Sequence, residues 1–269
     1  MPEGHVLHRL AHEFDEAFAG GPVRVSSPQG RFAESAALLD GSTVLTANAF
    51  GKHLFLQFDG DRAVHVHLGL YGKVTFGTGA APAPVGMIRL RLEGPGRYSD
   101  LRGPTACHIV TADEAAAILA RLGPDPIRDD ADPDRAWRRV SSTRTTIGAL
   151  LMDQSVFAGV GNIYRAEVLF RARVNPYREA RAVTRRSFET IWADLVDLMR
   201  LGVTAGRIDT VRPEHEPEAM QRDAREERHG GEVYVYGRSG LPCLVCGTRV
   251  RQADLQGRSL YWCARCQRR

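Results

Sequence analysis

Lysine is nearly missing from this chain: of its 36 basic residues only Lys52 and Lys73 are lysine, and arginine fills the other positions. A lysine kept against that bias is a candidate for work that needs a compact ammonium rather than a planar guanidinium. Long apolar runs are also lacking, which excludes a membrane-spanning helix, and no membrane partner is expected. The opening residues include Glu3, His5, His8 and Arg9 and do not form the apolar core of a signal peptide. Cysteine is restricted to five residues, four of them in metal-ligand spacing, so a disulfide framework is excluded and a reducing, cytoplasmic setting is expected. The fifth, Cys107, is expected to be a small buried apolar side chain. No internal repeat or low-complexity tract interrupts the 269 residues, a length that accommodates two compact domains and a small extra module.

What is present is concentrated at the C-terminus. Cys243-x2-Cys246-x16-Cys263-x2-Cys266 brings two thiolate pairs to a spacing that closes a tetrahedral zinc site. From Arg238 onward there are seven arginines against one acid, Asp254, whereas the whole chain carries only +4, so the remainder is slightly acidic. Positive charge gathered on a small rigid metal module points to phosphate, and nucleic acid is the first partner to consider. The plainer reading is a zinc ribbon that stabilises the fold or binds protein.

Before the tail, the pattern changes once. Val6, Leu7, Leu10, Phe14, Ala17 and Phe18 recur at helical spacing up to the Gly20-Gly21-Pro22 break. Short alternating stretches follow, namely Val44 to Ala47, His53 to Phe58, Ala63 to Leu68, Lys73 to Phe76, Met87 to Leu92 and Cys107 to Val110, separated by Gly, Pro and Asp turns. They predict an antiparallel sandwich or barrel behind a leading helix over residues 1–123. Residues 124–133 are rich in Pro and Asp without apolar periodicity and read as a hinge. Helical spacing then recurs over Ile147 to Asp153, Ile163 to Phe170, Phe188 to Gly202 and Pro217 to Arg228, which predicts an all-α domain over 134–237 and leaves 238–269 to the zinc module. The stretch from Asp209 to Gly231, dense in both charges, is either a solvated helix or a mobile loop.

Three further motifs carry chemistry. Removal of Met1 would expose Pro2 as a secondary amine, nucleophilic once deprotonated, with an α-amino pKa only about one unit above neutrality. Glu3 beside it could move protons at an opening sugar, although most Met-Pro starts mean nothing. In Asp153-Gln154-Ser-Val-Phe-Ala-Gly159-Val160-Gly161-Asn162, a helix ends, two glycines reverse the chain and Asn162 opens the next helix. That is a phosphate clamp or an ordinary helix hairpin with Asn162 as N-cap. In His65-Val-His67-Leu-Gly69-Leu70-Tyr71-Gly72, an apolar and aromatic pair sits at a glycine-flanked turn, either to wedge into a duplex beside an extruded base or to pack inward.

In this order, the Pro-Glu-Gly start, Gly51-Lys52, His67, Gly159-Val-Gly-Asn162, Tyr236-Gly-Arg and the four cysteines resemble the formamidopyrimidine-DNA glycosylase / endonuclease VIII family over essentially the whole chain. The resemblance implies an α+β, multidomain fold: an N-terminal antiparallel β-sandwich, a helix-two-turn-helix domain and a zinc finger holding one structural Zn2+. It implies a DNA glycosylase and abasic-site lyase of base excision repair, with DNA bearing oxidised bases or abasic sites as partner and a monomer as the working unit. Position by position, it makes Pro2 the nucleophile, Glu3 its acid/base partner and Lys52 the contact to phosphate near the lesion. His67, Asn162, Tyr236 and Arg258 fall where the family grips the backbone around a flipped nucleotide, and Leu70 with Tyr71 where the void is filled. Asp100-Leu-Arg102-Gly-Pro104 lacks the Arg and Phe of the formamidopyrimidine branch, so the endonuclease VIII branch, with oxidised pyrimidines as substrates, is the closer match. His5, Val6 and Gly69 depart from the family pattern, which bears on substrate range and turnover more than on fold. From a different class, the competing reading is a non-catalytic sensor of damaged or abasic DNA, and only an amine catalyst would form a reducible iminium.

Overall fold

A computed structural model describes residues 2–226 and 231–268. By contact the chain divides into two units, Met1–Arg121 and Leu122–Arg269.

The first unit opens with α1 (Gly4–Phe18), whose Leu7, Leu10, Phe14 and Phe18 lie on one face and are buried. Gly20, at φ 81°, ends it in a conformation that L side chains rarely adopt. Then come β1 (Arg24–Ser26), α2 (Ala33–Leu39), β2 (Val44–Phe50), β3 (His53–Phe58), β4 (Arg62–His67), β5 (Lys73–Thr78), β6 (Ile88–Gly94), β7 (Arg97–Arg102), β8 (Ala106–Val110) and α3 (Ala112–Leu119). They form two four-stranded antiparallel sheets, ordered β1-β6-β7-β5 and β2-β3-β4-β8. Leu54, Leu56, Val64 and Val66 of one sheet share a single core with Leu90, Leu92 and Leu101 of the other and with the apolar face of α1. This is the sandwich the alternation predicts. The core also takes in Phe76, whose ring meets Phe14 edge-on at 4.9 Å. Cys107 belongs to the same core, and burial pushes its thiol up to about 12, which keeps it protonated and inert.

The periodicity does not reveal β1, α2, β7 or α3. β7 is the instructive one, because its central Asp100 is only 3% exposed. Arg91 on β6 grips Asp100 with two parallel bonds of 2.7 and 2.9 Å, and Arg102 adds a third of 2.9 Å. A charge normally marks a solvent-facing position, and here it is buried as part of an ion triad.

The second unit begins with the segment read as a hinge, which is built into it. Gly123 donates to the carbonyl of Gln154 at 2.9 Å, Ala158 donates to that of Pro124 at 3.2 Å, and the Arg200 guanidinium holds the Ile127 carbonyl at 3.3 Å. Beyond it lie α4 (Pro133–Ser142), α5 (Ile147–Leu150), α6 (Asn162–Arg171), α7 (Arg185–Ala205) and α8 (Pro217–Met220). α6 is buried on all sides and packs against α7 around Phe157, Tyr164, Phe188 and Leu195. α7 starts at Thr184, whose hydroxyl accepts from the Ser187 amide at 3.2 Å, and stops at left-handed Gly206. Of the helix read over Pro217 to Arg228, only Pro217–Met220 forms, ending at left-handed Gln221; Glu227 and Arg228 lie outside the described residues. The chain closes with the antiparallel hairpin β9 (Arg251–Asp254) and β10 (Ser259–Trp262) between the cysteine pairs.

Candidate active site and nucleic-acid interface

In the first unit, Pro2 and Glu3 lead directly into α1. Glu3 occupies the N-cap position, its carbonyl accepts from the Val6 amide at 3.0 Å, and it exposes no surface. α1 packs on β2 and β3. The two-residue turn joining those strands, Gly51 at φ 57° and Lys52, is closed by the pairing of Phe50 with His53. Lys52 is half-buried. Its charge reaches the imidazoles that follow it: burial first, then the Lys52 ammonium, holds His67 below its ordinary range. His67 ends β4, and its ring lies 5.1 Å from that of His53.

Two more imidazoles stand behind this pair. His65 Nε2 lies 2.8 Å from His53 Nδ1, and the His65 ring is 5.1 Å from that of His108 on β8. Burial pushes His53 down to about 4, helped by His67, Arg121 and Lys52; burial and the neighbouring His53, His108 and His67 push His65 down to about 3. All three rings with lowered values are therefore neutral at pH 7 beside a cationic lysine. Sequence reasoning found His67 alone. The His-x-His alternation places His65 and His67 on one face of a strand, but only the register, His53 with His67 and His65 with His108, assembles the group.

The turn after β4 presents Leu70 and Tyr71 to solvent, 59% and 87% exposed. Two glycines force this. A Cβ on Gly69, at φ 66°, would lie 1.8 Å from Thr105 Oγ1, and one on Gly72 would lie 2.3 Å from the Leu68 carbonyl oxygen. Asp100 and Arg102 lie on β7, bound to each other and, through Asp100, to Arg91, rather than on a void-filling loop.

In the second unit, Asn162 is not the N-cap of α6. Gly161 caps it, and Asn162 is the first helical residue, 7% exposed. Its Nδ2 donates to the Ser259 carbonyl at 2.9 Å, and Arg165 binds both its Oδ1 and, at 3.1 Å, the same carbonyl. The N-terminus of α6 is thus tied to the hairpin whose turn, Leu255 to Arg258, puts Arg258 at the exposed tip. Tyr236 rests its ring edge-on against Tyr261 of the same hairpin at 5.3 Å. What holds Tyr236 in place is Glu167, which exposes no surface. Its Oε1 accepts from the Val235 and Tyr236 amides at 2.9 and 2.8 Å, and its Oε2 from the Tyr234 amide and the Thr210 hydroxyl at 2.7 Å each. A carboxylate among Ala166, Val168, Leu169 and Phe170 was the signal for it.

The Sγ atoms of Cys243, Cys246, Cys263 and Cys266 all lie within 4.8 Å of one another, with Cys243 and Cys266 at 3.9 Å and Cys246 and Cys263 at 3.5 Å. Tetrahedral Zn–S bonds of about 2.3 Å require S···S separations of about 3.8 Å, so the donor set fits zinc. Four thiolates fill the coordination sphere, which makes the ion structural.

Models of three domains match the chain: the formamidopyrimidine-DNA glycosylase N-terminal domain over residues 1–107, the formamidopyrimidine-DNA glycosylase H2TH domain over 122–212, and the zinc finger found in FPG and IleRS over 240–269. Endonuclease 8 1 of Mycobacterium tuberculosis is 50% identical over 274 residues, covering 99% of this chain and 100% of the relative. The chain belongs to the formamidopyrimidine-DNA glycosylase / endonuclease VIII family. The formamidopyrimidine-DNA glycosylase of Thermus thermophilus is 33% identical over 243 residues, 86% of this chain and 85% of that one. Among solved structures, a complex between the Lactococcus lactis Fpg and an abasic site containing DNA superposes with a TM-score of 0.79 at 19% identity, covering 99% of this chain and 100% of that chain, a likeness of fold. Membership makes this chain a DNA glycosylase and abasic-site lyase of base excision repair, with one structural zinc in its finger.

Proposed function

We propose that the protein acts as a monomer in the cytoplasm, on nucleoid DNA, and excises oxidised pyrimidines through Pro2. Once Met1 is removed, the Pro2 nitrogen attacks C1′ and the base leaves with the bonding pair; the amine then gives up its proton and the C1′–O4′ bond breaks, with O4′ taking a proton, which opens the sugar to a cationic iminium. Glu3 serves the proton transfers at the opening sugar. Loss of a C2′ proton to a base expels the 3′ phosphate by β-elimination, and a δ-elimination expels the 5′ phosphate. Lys52 steadies the phosphate beside the lesion, with His67 neutral next to it. Asn162, Tyr236 and Arg258 grip the backbone, while Leu70 and Tyr71 fill the gap left by the flipped nucleotide. The observation that carries this reading is Glu3, a carboxylate wholly removed from solvent directly after the proline and at the start of the helix that packs on the Lys52 hairpin. The endonuclease 8 name of the 50% identical relative supports the pyrimidine preference.

The test is borohydride trapping on duplexes carrying an abasic site or thymine glycol, with the mass of the N-terminus checked beforehand. A covalent adduct is expected, lost in Pro2→Gly and in protein that retains Met1. Tight binding without any adduct would instead make the protein a sensor.

A further inference from the structure

Eight arginines of the second unit are held in ion pairs, and four of those without one converge on a single surface. Arg128, Arg138, Arg171, Arg181, Arg185, Arg200, Arg207 and Arg222 each face an acid within 4.0 Å. Arg173, Arg178, Arg265 and Arg268 face none among the described residues, and they line one open concavity of about 520 Å³ together with Val245 and two of the ligand cysteines. Among the described residues no carboxylate and no aromatic ring lines it.

The concavity is built from two elements locked together. Arg173 and Arg178 come from the segment after α6, and Arg265 and Arg268 from the second zinc knuckle. Between them sits Gln267, which exposes no surface. Its Oε1 accepts from the Cys263 amide at 2.9 Å, its Nε2 donates to the Val174 carbonyl at 3.0 Å, and its own carbonyl accepts from Asn175 Nδ2 at 2.9 Å. The Arg178 carbonyl is held by the Ile147 amide at 2.9 Å. The arginine backbones are therefore fixed, so little ordering cost remains on binding beyond the side chains themselves. Arg173 also adopts φ 55°, a left-handed helix end where glycine or asparagine is usual. A long cation kept there against the backbone preference suggests that its head group is used.

The zinc site does not consume this charge. Four thiolates on a divalent ion carry a net charge of −2, and four guanidinium groups leave a surplus of two positive charges. Guanidinium forks suit phosphate oxygens. With no aromatic face to stack a base and no acid or amide to read a sugar hydroxyl, the site recognises charge alone, as a phosphodiester backbone offers it. It also lies at the other end of the finger from Arg258: the four residues of β10 at about 3.3 Å each separate the tip from the knuckle by roughly 13 Å.

We propose that this face is a second phosphodiester-binding site, which holds a stretch of DNA beyond the one gripped at the lesion. It rests on DNA as the substrate but not on the Pro2 chemistry. The test compares full-length, zinc-loaded wild type with Arg265→Gln/Arg268→Gln on a 14-bp and a 60-bp duplex, each with one central abasic-site analogue, as a function of salt. On the 60-bp duplex the variant should bind roughly tenfold more weakly, with a salt slope smaller by about two. On the 14-bp duplex, affinity and borohydride trapping on the corresponding abasic site should stay unchanged. Arg173→Gln/Arg178→Gln, from the other element, should reproduce this, and it decides the matter if the knuckle variant loses zinc. Equal loss on both duplexes would place the arginines on the lesion-binding path and overturn the proposal. No loss on either duplex would overturn it too; if the same variant then fails to bind polyglutamate that wild type binds, the face takes an acidic peptide instead. Should wild type never trap, the catalytic reading falls while the length comparison still stands.

Discussion

Glu167→Gln changes one atom in the second unit and should weaken it. Each Glu167 oxygen accepts two hydrogen bonds, from Thr210 and Tyr234 at Oε2 and from Val235 and Tyr236 at Oε1. With its NH2 towards Val235 and Tyr236 a glutamine amide meets two donors; turned the other way it meets the Tyr234 amide and the Thr210 hydroxyl, which can accept instead while donating to the Glu232 carbonyl at 3.3 Å. In that better orientation the Tyr234 bond is lost and its amide, at a site without solvent, is left facing an N–H. At about 1–3 kcal/mol for a buried donor left unsatisfied, the cost is about 1–3 kcal/mol. Urea unfolding followed by tryptophan fluorescence reads this selectively, because Trp137, Trp192 and Trp262 all lie in the second unit. With a slope of about 2 kcal/mol per molar urea, the midpoint should fall by about 0.5–1.5 M. Because the stranded Tyr234 amide lies two residues before Tyr236, affinity for DNA should drop as well, even where the protein is folded. A midpoint within about 0.3 M of wild type would refute the reasoning.

Asp100→Asn removes the shared anion of Arg91 and Arg102, both partners of the core pair being about 5% exposed or less at the side chain, and should cost the first unit about 3–5 kcal/mol by far-UV circular dichroism. Burial alone would raise the Asp100 carboxyl, but the Arg91 hydrogen bond and the two arginine charges hold it below its usual value, so this stabilisation is complete above about pH 4 and is lost as pH falls through the depressed value. The imidazoles act at higher pH: with folded values of about 4 for His53 and about 3 for His65, protons bind the unfolded chain first, so the sandwich should lose stability from about pH 6.5 down towards pH 4. His53→Gln/His65→Asn should flatten that part of a pH–melting curve, and an unchanged slope would count against the ladder. Cys263→Ser should lower zinc content and DNA binding together, measured by metal analysis and anisotropy; full binding without zinc would show that the finger does not need its metal to present Arg258.

The sandwich, the helical unit and the finger were legible because each rests on a local period or spacing: alternation in β2 to β5, the 3.6-residue repeat of α1 and α7, and the two Cys-x2-Cys pairs. β7 was hidden because Leu101 is its one apolar core-facing residue, while Asp100 on the opposite face is buried by an arginine that is remote until the sheet forms. The 124–133 segment looked like a tether because Pro and Asp carry no apolar period, yet its bonds to Ala158 and Arg200 are made through the backbone carbonyls of Pro124 and Ile127, which no side-chain pattern records. Asn162 was found as the residue that opens α6, but its binding to Ser259 spans 97 positions and could not be read locally. The same holds for Glu167, whose partners Thr210 and Tyr234 to Tyr236 follow 43 and more positions later.

The bonds that join the helical unit to its finger are addressed to the main chain. Asn162 and Arg165 hold the carbonyl of Ser259, Asn175 holds that of Gln267, and Gln267 in turn reaches the carbonyl of Val174. None of them specifies a side chain on β9, β10 or the turn between them. The hairpin can therefore exchange its exposed residues while keeping its seat, and a chimaera that grafts a foreign finger needs the backbone path, the glutamine behind the last cysteine, and the rings of Tyr261 and Trp262 that meet Tyr236 and Tyr177. Preference for one nucleic-acid context over another can drift at the tip without loosening the joint that carries it.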